Sequence, residues 1–500
     1  MSNKKKILSG ISIDFMGSII ATIVGFTVVP YYFHYISTAE FGLWLAISGL
    51  SAIITMVDLG TDQYLTTVTA SDDKFYSNNY GNYLTSILLI KTIVSSLFAF
   101  IGIGMYYFLT HLIDIDLMHL ASSQNAFIIG IVILVISGYF STISTILYAR
   151  HHYSLINSFI TVFAIATSLL TLFLMHLKFG IISFPMALLI TTTIQHLILF
   201  VYMFKKYPHL KLNLRNFHFI NRKEVISYTT TFQILRWVHT LRTQYIIIAI
   251  NNLAGAVYTA QYNLTNRIPQ MIPIYASKIV HPFFPTISNL FHKGDMEKIR
   301  EIFIKITKIL TRLALFSSIS LYFLNEPFVI LWVGNDKYAG GWILLWLIVY
   351  MFVYVAMNAF GIIIYASKEF GKWTYWSILE ILVAISFSYI FSFSYGLSGI
   401  IFGFVFASMF TQIYLFSLVS KQINLNRSSF LLETLKYSVI SNLAVLMFGF
   451  YTLNIQISSW IDFILICIGF VLSGLLIDIY KIMKSSEINI KNKIIKSIIP

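Results

Sequence analysis

Long apolar runs alternate with short polar segments along the whole chain. Runs of about twenty apolar residues are the length that carries an α-helix across a bilayer. They fall near 8–30, 41–66, 84–109, 125–148, 156–175, 184–204 and 228–250. They continue near 258–285, 305–325, 342–366, 374–394, 398–420, 437–454 and 458–480. This pattern predicts about fourteen transmembrane helices. A transmembrane β-barrel would instead need alternating segments of about ten residues. The opening MSNKKK imitates the start of a signal peptide. The apolar run behind it is longer than about twenty residues and ends at no small-residue cleavage site, so it reads as an uncleaved first span.

Composition agrees with the pattern. Only 11% of the 500 residues are charged and 57% are hydrophobic, whereas soluble domains carry roughly a quarter charged residues. So few charges cannot clothe a water-facing surface, and the chain is expected to be an all-α polytopic membrane protein. The single cysteine, Cys467, excludes an intramolecular disulfide and reads as packing.

Charge adds orientation. Of the 34 Lys and Arg residues, only Lys178 and Lys337 fall on the outside when the amino terminus starts inside. Lys91, Arg236, Arg242, Arg267 and Lys278 fall within spans, and the other 27 fall on the inside. Lysine and arginine resist translocation, so the imbalance orients both termini inward and supports the span count. The net charge of +14 is therefore a topology signal rather than a nucleic-acid footprint. The interior basic segments and the tail EINIKNKIIKSIIP suit anionic headgroups.

Landmarks recur at a nearly constant offset. Phe41 of FGLWLAI pairs with Tyr258 of YTAQYNL, 217 residues on. Tyr148 and Ala149 pair with Tyr365 and Ala366 at the same offset, and Gly180 pairs with Gly396, 216 on. The chain reads as two six-helix repeats, 1–217 and 218–434, followed by a helix pair and tail over 435–500. Six spans are an even number, so the repeats are parallel, and they are expected to form two lobes with a cavity between them.

The stretch VVPYYFHYISTAEFGLWLAISGLSAIITMVDLGTD (28–62) carries a family likeness, with its FGLW entry and DLG. So do AGAVYTAQYNLTNRI (254–268), HPFFPTISNL (281–290) and LWVGNDKYAGGWILLWL (331–347). In these stretches the chain resembles the polysaccharide-export branch of the multidrug/oligosaccharidyl-lipid/polysaccharide exporter superfamily, and O-antigen and capsule repeat-unit flippases most of all. The resemblance implies movement of a polyprenyl-diphosphate-linked oligosaccharide from the inner to the outer leaflet by alternating access. It also implies a bacterial inner-membrane location and polysaccharide polymerase machinery as a partner. A cation-coupled multidrug exporter of the same superfamily is the alternative. A membrane glycosyltransferase is disfavoured by short outside loops and by the absence of nucleotide, metal or nucleophile motifs. The chain is thus read as a transporter and not an enzyme, with no cofactor beyond a coupling H+ or Na+.

The embedded charges are the candidate chemistry. Arg236, His239 and Arg242 follow an i, i+3, i+6 course and make one helix stripe. An arginine facing mid-bilayer lipid costs several kcal/mol, so the stripe should face protein or a wet cavity. Arg242 and Arg267 are placed at similar depth on consecutive spans. The functional reading is that Arg236, Arg242, Arg267, Lys278 and Lys91 bind substrate, because guanidinium groups grip diphosphate through paired hydrogen bonds. The competing reading pairs these cations with carboxylates across the lobes. Lys278 is near enough to a span end to snorkel. Lys91 could guard an entrance or pair with Asp58. Asp58 and Asp62, four apart on one helix face, and Glu380 are candidates for ion coupling or inter-lobe pairing. Asp62 at the inner interface, with Asp58 bonded to a neighbouring helix, is the blander reading. His239 and His196 read as packing residues. Pro269 and Pro273, with Pro282 and Pro285, crowd the eighth span and are candidates for gating.

Overall fold

The computed structural model describes residues 3–57, 60–77, 80–210, 222–367 and 369–476, with the side chains of 3–12, 57, 63, 222–232 and 370 excepted. Asp58, most of the basic linker after 210 and the tail beyond 476 lie outside the described residues. Among the described residues every regular element is helical. Nine helices among the described residues are long and apolar enough to cross a membrane, and Thr38–Ile54 and Trp460–Leu476 are shorter apolar helices. Large apolar side chains such as Phe100, Ile93 and Met447 are more than half exposed. Outward apolar bands of this kind suit lipid, not water. The protein is a polytopic α-helical membrane protein.

The chain divides into two compact units, Met1–Ala260 and Gln261–Pro500. The first holds α1 (Asn3–Tyr32), α2 (Thr38–Ile54), α3 (Thr61–Ala70), the single turn α4 (Asp72–Phe75), α5 (Tyr80–Tyr107) and the turn α6 (Leu109–Leu112). It continues with α7 (Leu120–Ala149), α8 (Tyr153–His176), α9 (Ser183–Lys206) and α10 (Arg222–Ala254). Helix α2 starts at Ser37, whose side chain accepts from Glu40 N–H while Glu40 reaches back to the Ser37 N–H. This reciprocal cap satisfies orphan donors at the helix start. Unit 1 has one core around Leu43, Ile47, Leu50, Phe98 and Phe127 and a second around Leu65, Phe75, Tyr80 and Ile146. Helix α10, assigned by the repeat to the second half of the sequence, packs along α2 and α3 in this unit.

The second unit holds α11 (Ala256–Thr265, which straddles the boundary), α12 (Met271–Val280), α13 (Phe284–Lys293), α14 (Met296–Val333) and α15 (Gly341–Ala356). It closes with α16 (Asn358–Ser367), α17 (Phe370–Gln422), α18 (Arg427–Thr452) and the helix Trp460–Leu476. Its main core centres on Phe303, Leu310, Met351 and Phe360, and a smaller one joins Val445, Ile466 and Phe470.

Five spans differ from the expected separate, continuous helices. The second breaks after Ile54, runs through a 3₁₀ turn at Thr55–Val57 and restarts behind Gly60, whose φ is +67°. Left-handed Gly60 thus begins a new helix two residues ahead of Asp62; the expected shared face of Asp58 and Asp62 involves Asp58, which lies outside the described residues. The eighth span is three short helices. Pro269 lies in the turn before α12 and Pro273 in its first turn, while Pro282 and Pro285 open the next two helical segments. Proline is favoured at helix starts, where its missing N–H costs nothing. The tenth span breaks at Met357. The eleventh and twelfth run on as α17 with a kink at Gly396, φ +55° and ψ −134°. Gly180, its partner in the repeat, also has φ +55°.

Candidate functional site

The stripe on α10 rests on regular helix, because α10 is unbroken from Arg222 to Ala254. Two close approaches set its antiparallel register on α2. A Cβ at Gly49 would lie 3.2 Å from Gln244 Oε1 on α10, and one at Gly42 would lie 1.8 Å from the carbonyl oxygen of Ala256, the first residue of α11 just past the end of α10. Carried along both helices, this register brings Arg236 and His239 to the level of the break at 55–60. Beyond the glycines, the Asp114 N–H donates to Asn251 Oδ1 at 2.9 Å and to Asn252 Oδ1 at 3.0 Å. Asn252 Nδ2 donates to the Leu112 carbonyl at 2.9 Å.

His239 lies seven and eleven residues before Ile246 and Ile250, which are buried, so all three share a helix face. At the Ile246–Ile250 end that face is packed; at the level of the break Arg236 and His239 are exposed and Arg242 is half-buried. Arg236 Nη1 reaches the Gln233 Oε1 at 3.5 Å, the limit of a hydrogen bond. The structure thus opens the stripe where α2 stops.

Just beyond Gly60, Asp62 lies in the first turn of α3. Its Oδ1 is 2.6 Å from Lys91 Nζ on α5, and Lys91 also donates to Ser141 Oγ on α7. Lys91 is 4% exposed. Removing one partner from a buried pair leaves an uncompensated charge and is strongly destabilising. The sequence offers Lys91 an entrance role or Asp58 as partner; the described contact is with Asp62, and Asp58 lies outside the described residues. Ser141 was not expected in the site, since it is fifty residues from Lys91 and nothing local marks it.

In the second unit, Arg267 is half-buried in the turn between α11 and α12. The neighbouring backbone is fixed by Thr265, whose Oγ1 accepts the Ala339 N–H at 2.9 Å and whose carbonyl accepts Asn325 Nδ2 at 3.1 Å. Lys278 is half-buried in the last turn of α12, beside Ser277, whose Oγ accepts Asn358 Nδ2 at 2.8 Å. Glu380 is 5% exposed on α17. His196 lies on α9, with Nδ1 2.7 Å from the Thr192 carbonyl and its ring stacked on Phe140. Among the described residues, no group of three His, Cys, Asp or Glu side chains is arranged to hold a metal ion.

The polysaccharide biosynthesis protein family matches residues 7–291. The chain belongs to that family. No curated protein sequence matches it. Among solved structures, this family member is similar to the lipid II flippase MurJ in an inward closed conformation, with a TM-score of 0.72 and 15% identity. That likeness covers 95% of this chain and 99% of MurJ. It is also similar to an inward-facing multidrug resistance MATE family transporter of the MOP superfamily. There the TM-score is 0.63 at 16% identity, covering 83% of this chain and 98% of the other. A third similar structure is a MOP superfamily transporter from Pyrococcus furiosus, reported with a binding pocket of reverse polarity. It gives 0.56 at 14% identity, over 85% of this chain and 96% of that one. At these identities the likeness is one of fold: a MOP-superfamily transporter fold, shared with transporters and a flippase.

Proposed function

We propose that the protein is a flippase that moves a polyprenyl-diphosphate-linked oligosaccharide from the inner to the outer leaflet of the bacterial inner membrane. In this reading it works by alternating access of two lobes and supplies units for a surface polysaccharide of the O-antigen or capsule type, which polymerase machinery then extends. The observation that carries the reading is a basic stripe, Arg236, His239 and Arg242, left open within a helix of a family member assigned to polysaccharide biosynthesis. The whole-chain likeness to a lipid II flippase supports it, since lipid-linked cargo suits such a fold. Guanidinium pairs bind diphosphate through charge-assisted hydrogen bonds, so Arg236, Arg242, Arg267 and Lys278 are assigned to the diphosphate. Lys91, held by Asp62 and Ser141, is assigned to the ion-coupling group with Asp62 and Glu380 instead of to direct contact.

The test uses Arg242→Ala and Arg267→Ala in a host whose surface polysaccharide depends on this protein. Losing one charge-assisted contact costs about 1.5–3 kcal/mol, which is roughly ten- to hundredfold in affinity. Each variant should insert and accumulate normally while surface polysaccharide collapses; normal export by both would remove the arginines from the site. The MATE-like neighbours favour a second reading, a cation-coupled drug exporter. Resistance restored to a drug-hypersensitive host, with polysaccharide unchanged, would select it.

A further inference from the structure

The Lys91–Asp62 contact stands at a broken membrane helix. Asp62 is two residues past left-handed Gly60 and lies in the opening turn of α3, where backbone N–H groups lack helical partners. Its Oδ1 is 2.6 Å from Lys91 Nζ yet makes no aligned hydrogen bond, so the contact is charge on charge. Lys91 Nζ also meets the Ser141 hydroxyl, which itself donates to the Gly138 carbonyl at 3.1 Å. Three hydroxyl residues are sequence neighbours of these groups, Thr61 one before Asp62, Ser95 four after Lys91 and Thr142 one after Ser141, and Ser95 Oγ faces α7, 2.9 Å from where a Cβ on Gly138 would stand. The three residues are 1%, 2% and 2% exposed, and none of their hydroxyl oxygens has a hydrogen-bond partner among the described residues.

A carboxylate and a neutral hydroxyl oxygen brought together beside a helix break are among the parts from which membrane proteins build monovalent-cation sites. Hard cations take oxygen ligands. Here the positive centre is an ammonium on a four-carbon stem, a compact point charge. We propose that Lys91 Nζ is a tethered cation. It fills the position of a monovalent inorganic ion between the Asp62 carboxylate of α3 and the Ser141 hydroxyl of α7. Unit 1 thereby carries this charge covalently and binds no sodium there. Shortening the side chain opens the position to a free ion. This refines the ion-coupling role given to Asp62, and its test does not depend on the cargo.

The full-length protein is purified in detergent, and its thermal unfolding is followed in NaCl, KCl, LiCl and choline chloride at equal ionic strength. Wild type should unfold at one temperature in all four. Lys91→Ala should be destabilised in choline and stabilised by one inorganic cation over the others, with a midpoint rise of at least about 2 °C, because an ion that binds only the native state stabilises it. The double variant Lys91→Ala/Asp62→Asn should lose that selectivity. Lys91→Ser, which adds a neutral oxygen, serves where the alanine variant does not accumulate. Sodium stabilising the wild type, or short-side-chain variants blind to the identity of the cation, would overturn the proposal. Failure of polysaccharide export in other variants has no bearing on this readout, so the two readings fail separately.

Discussion

Arg150 shows how one charged side chain can matter more through contact than through pairing. It follows α7, with its guanidinium carbon 4.6 Å from the Phe75 ring centroid and 5.4 Å from that of Tyr76. Its Nη1 is 2.6 Å from Asp72 Oδ1. Burial would lower its pKa, but the hydrogen bonds to Asp72 and Tyr207 outweigh it and push the group up, so the charge is secure. Asp72 is 75% exposed, and a pair with so wet a partner contributes below about 1 kcal/mol. The ring contacts and the buried stem contribute more, because Phe75 is fully buried beneath them. Arg150→Ala is therefore expected to cost about 1–3 kcal/mol and Asp72→Asn clearly less, read as thermal midpoints of the purified variants. Equal losses would make the ion pair the dominant contact. Legibility at this scale follows distance along the chain. The stripe Arg236, His239 and Arg242 was readable because its spacing is local and α10 is regular. The partner of Lys91 was not, because Asp62 is 29 residues away on another helix, one that starts behind left-handed Gly60.

At the level of elements, apolar run length located the spans, while breaks were set by features that run length ignores. The prolines of the eighth span were legible as disruption, but they start short helices and do not bend one long one. Helix α14 has 38 residues, or about 57 Å at helical rise, longer than any single crossing requires. The approach of α2 to the chain where α10 passes into α11 depends on Gly42, where a Cβ would meet the Ala256 backbone oxygen, which cannot swing away. Gly42→Ala should therefore cost at least about 1–3 kcal/mol as overpacking and loosen α10. By contrast, Gly104 in α5 has open space around its Cβ position. Gly104→Ala should hold or raise stability by up to about 1 kcal/mol through helix propensity. Proteolysis and thermal unfolding of the two variants check the contrast. Gly42→Ala as stable as wild type would show that the helices part freely.

Over the whole molecule, the charge asymmetry makes a topology prediction. Cys467 is the single native cysteine, so a Cys467→Ser background carries one introduced thiol at a time. Lys178→Cys and Asp336→Cys should react with a membrane-impermeant maleimide on intact cells, while Lys74→Cys and Lys421→Cys should react only after permeabilisation. A reversed pattern would invert the orientation and place both termini outside. Helical class and the multi-pass membrane character lie in the sequence because each is a sum over many residues of apolar length, and lysine and arginine placement, another such sum, carries the expected orientation. The offset expected from the sequence pairs Gly180 with Gly396, two glycines of equal φ. Compactness was not legible: α10 packs into the first unit, while the offset assigns it to the second half. Tertiary structure alone decided where helices break, which glycines admit a neighbouring backbone, and that Lys91 meets Asp62 and Ser141. Those contacts join residues far apart along the chain, and their energies depend on a few ångströms that no local spacing encodes.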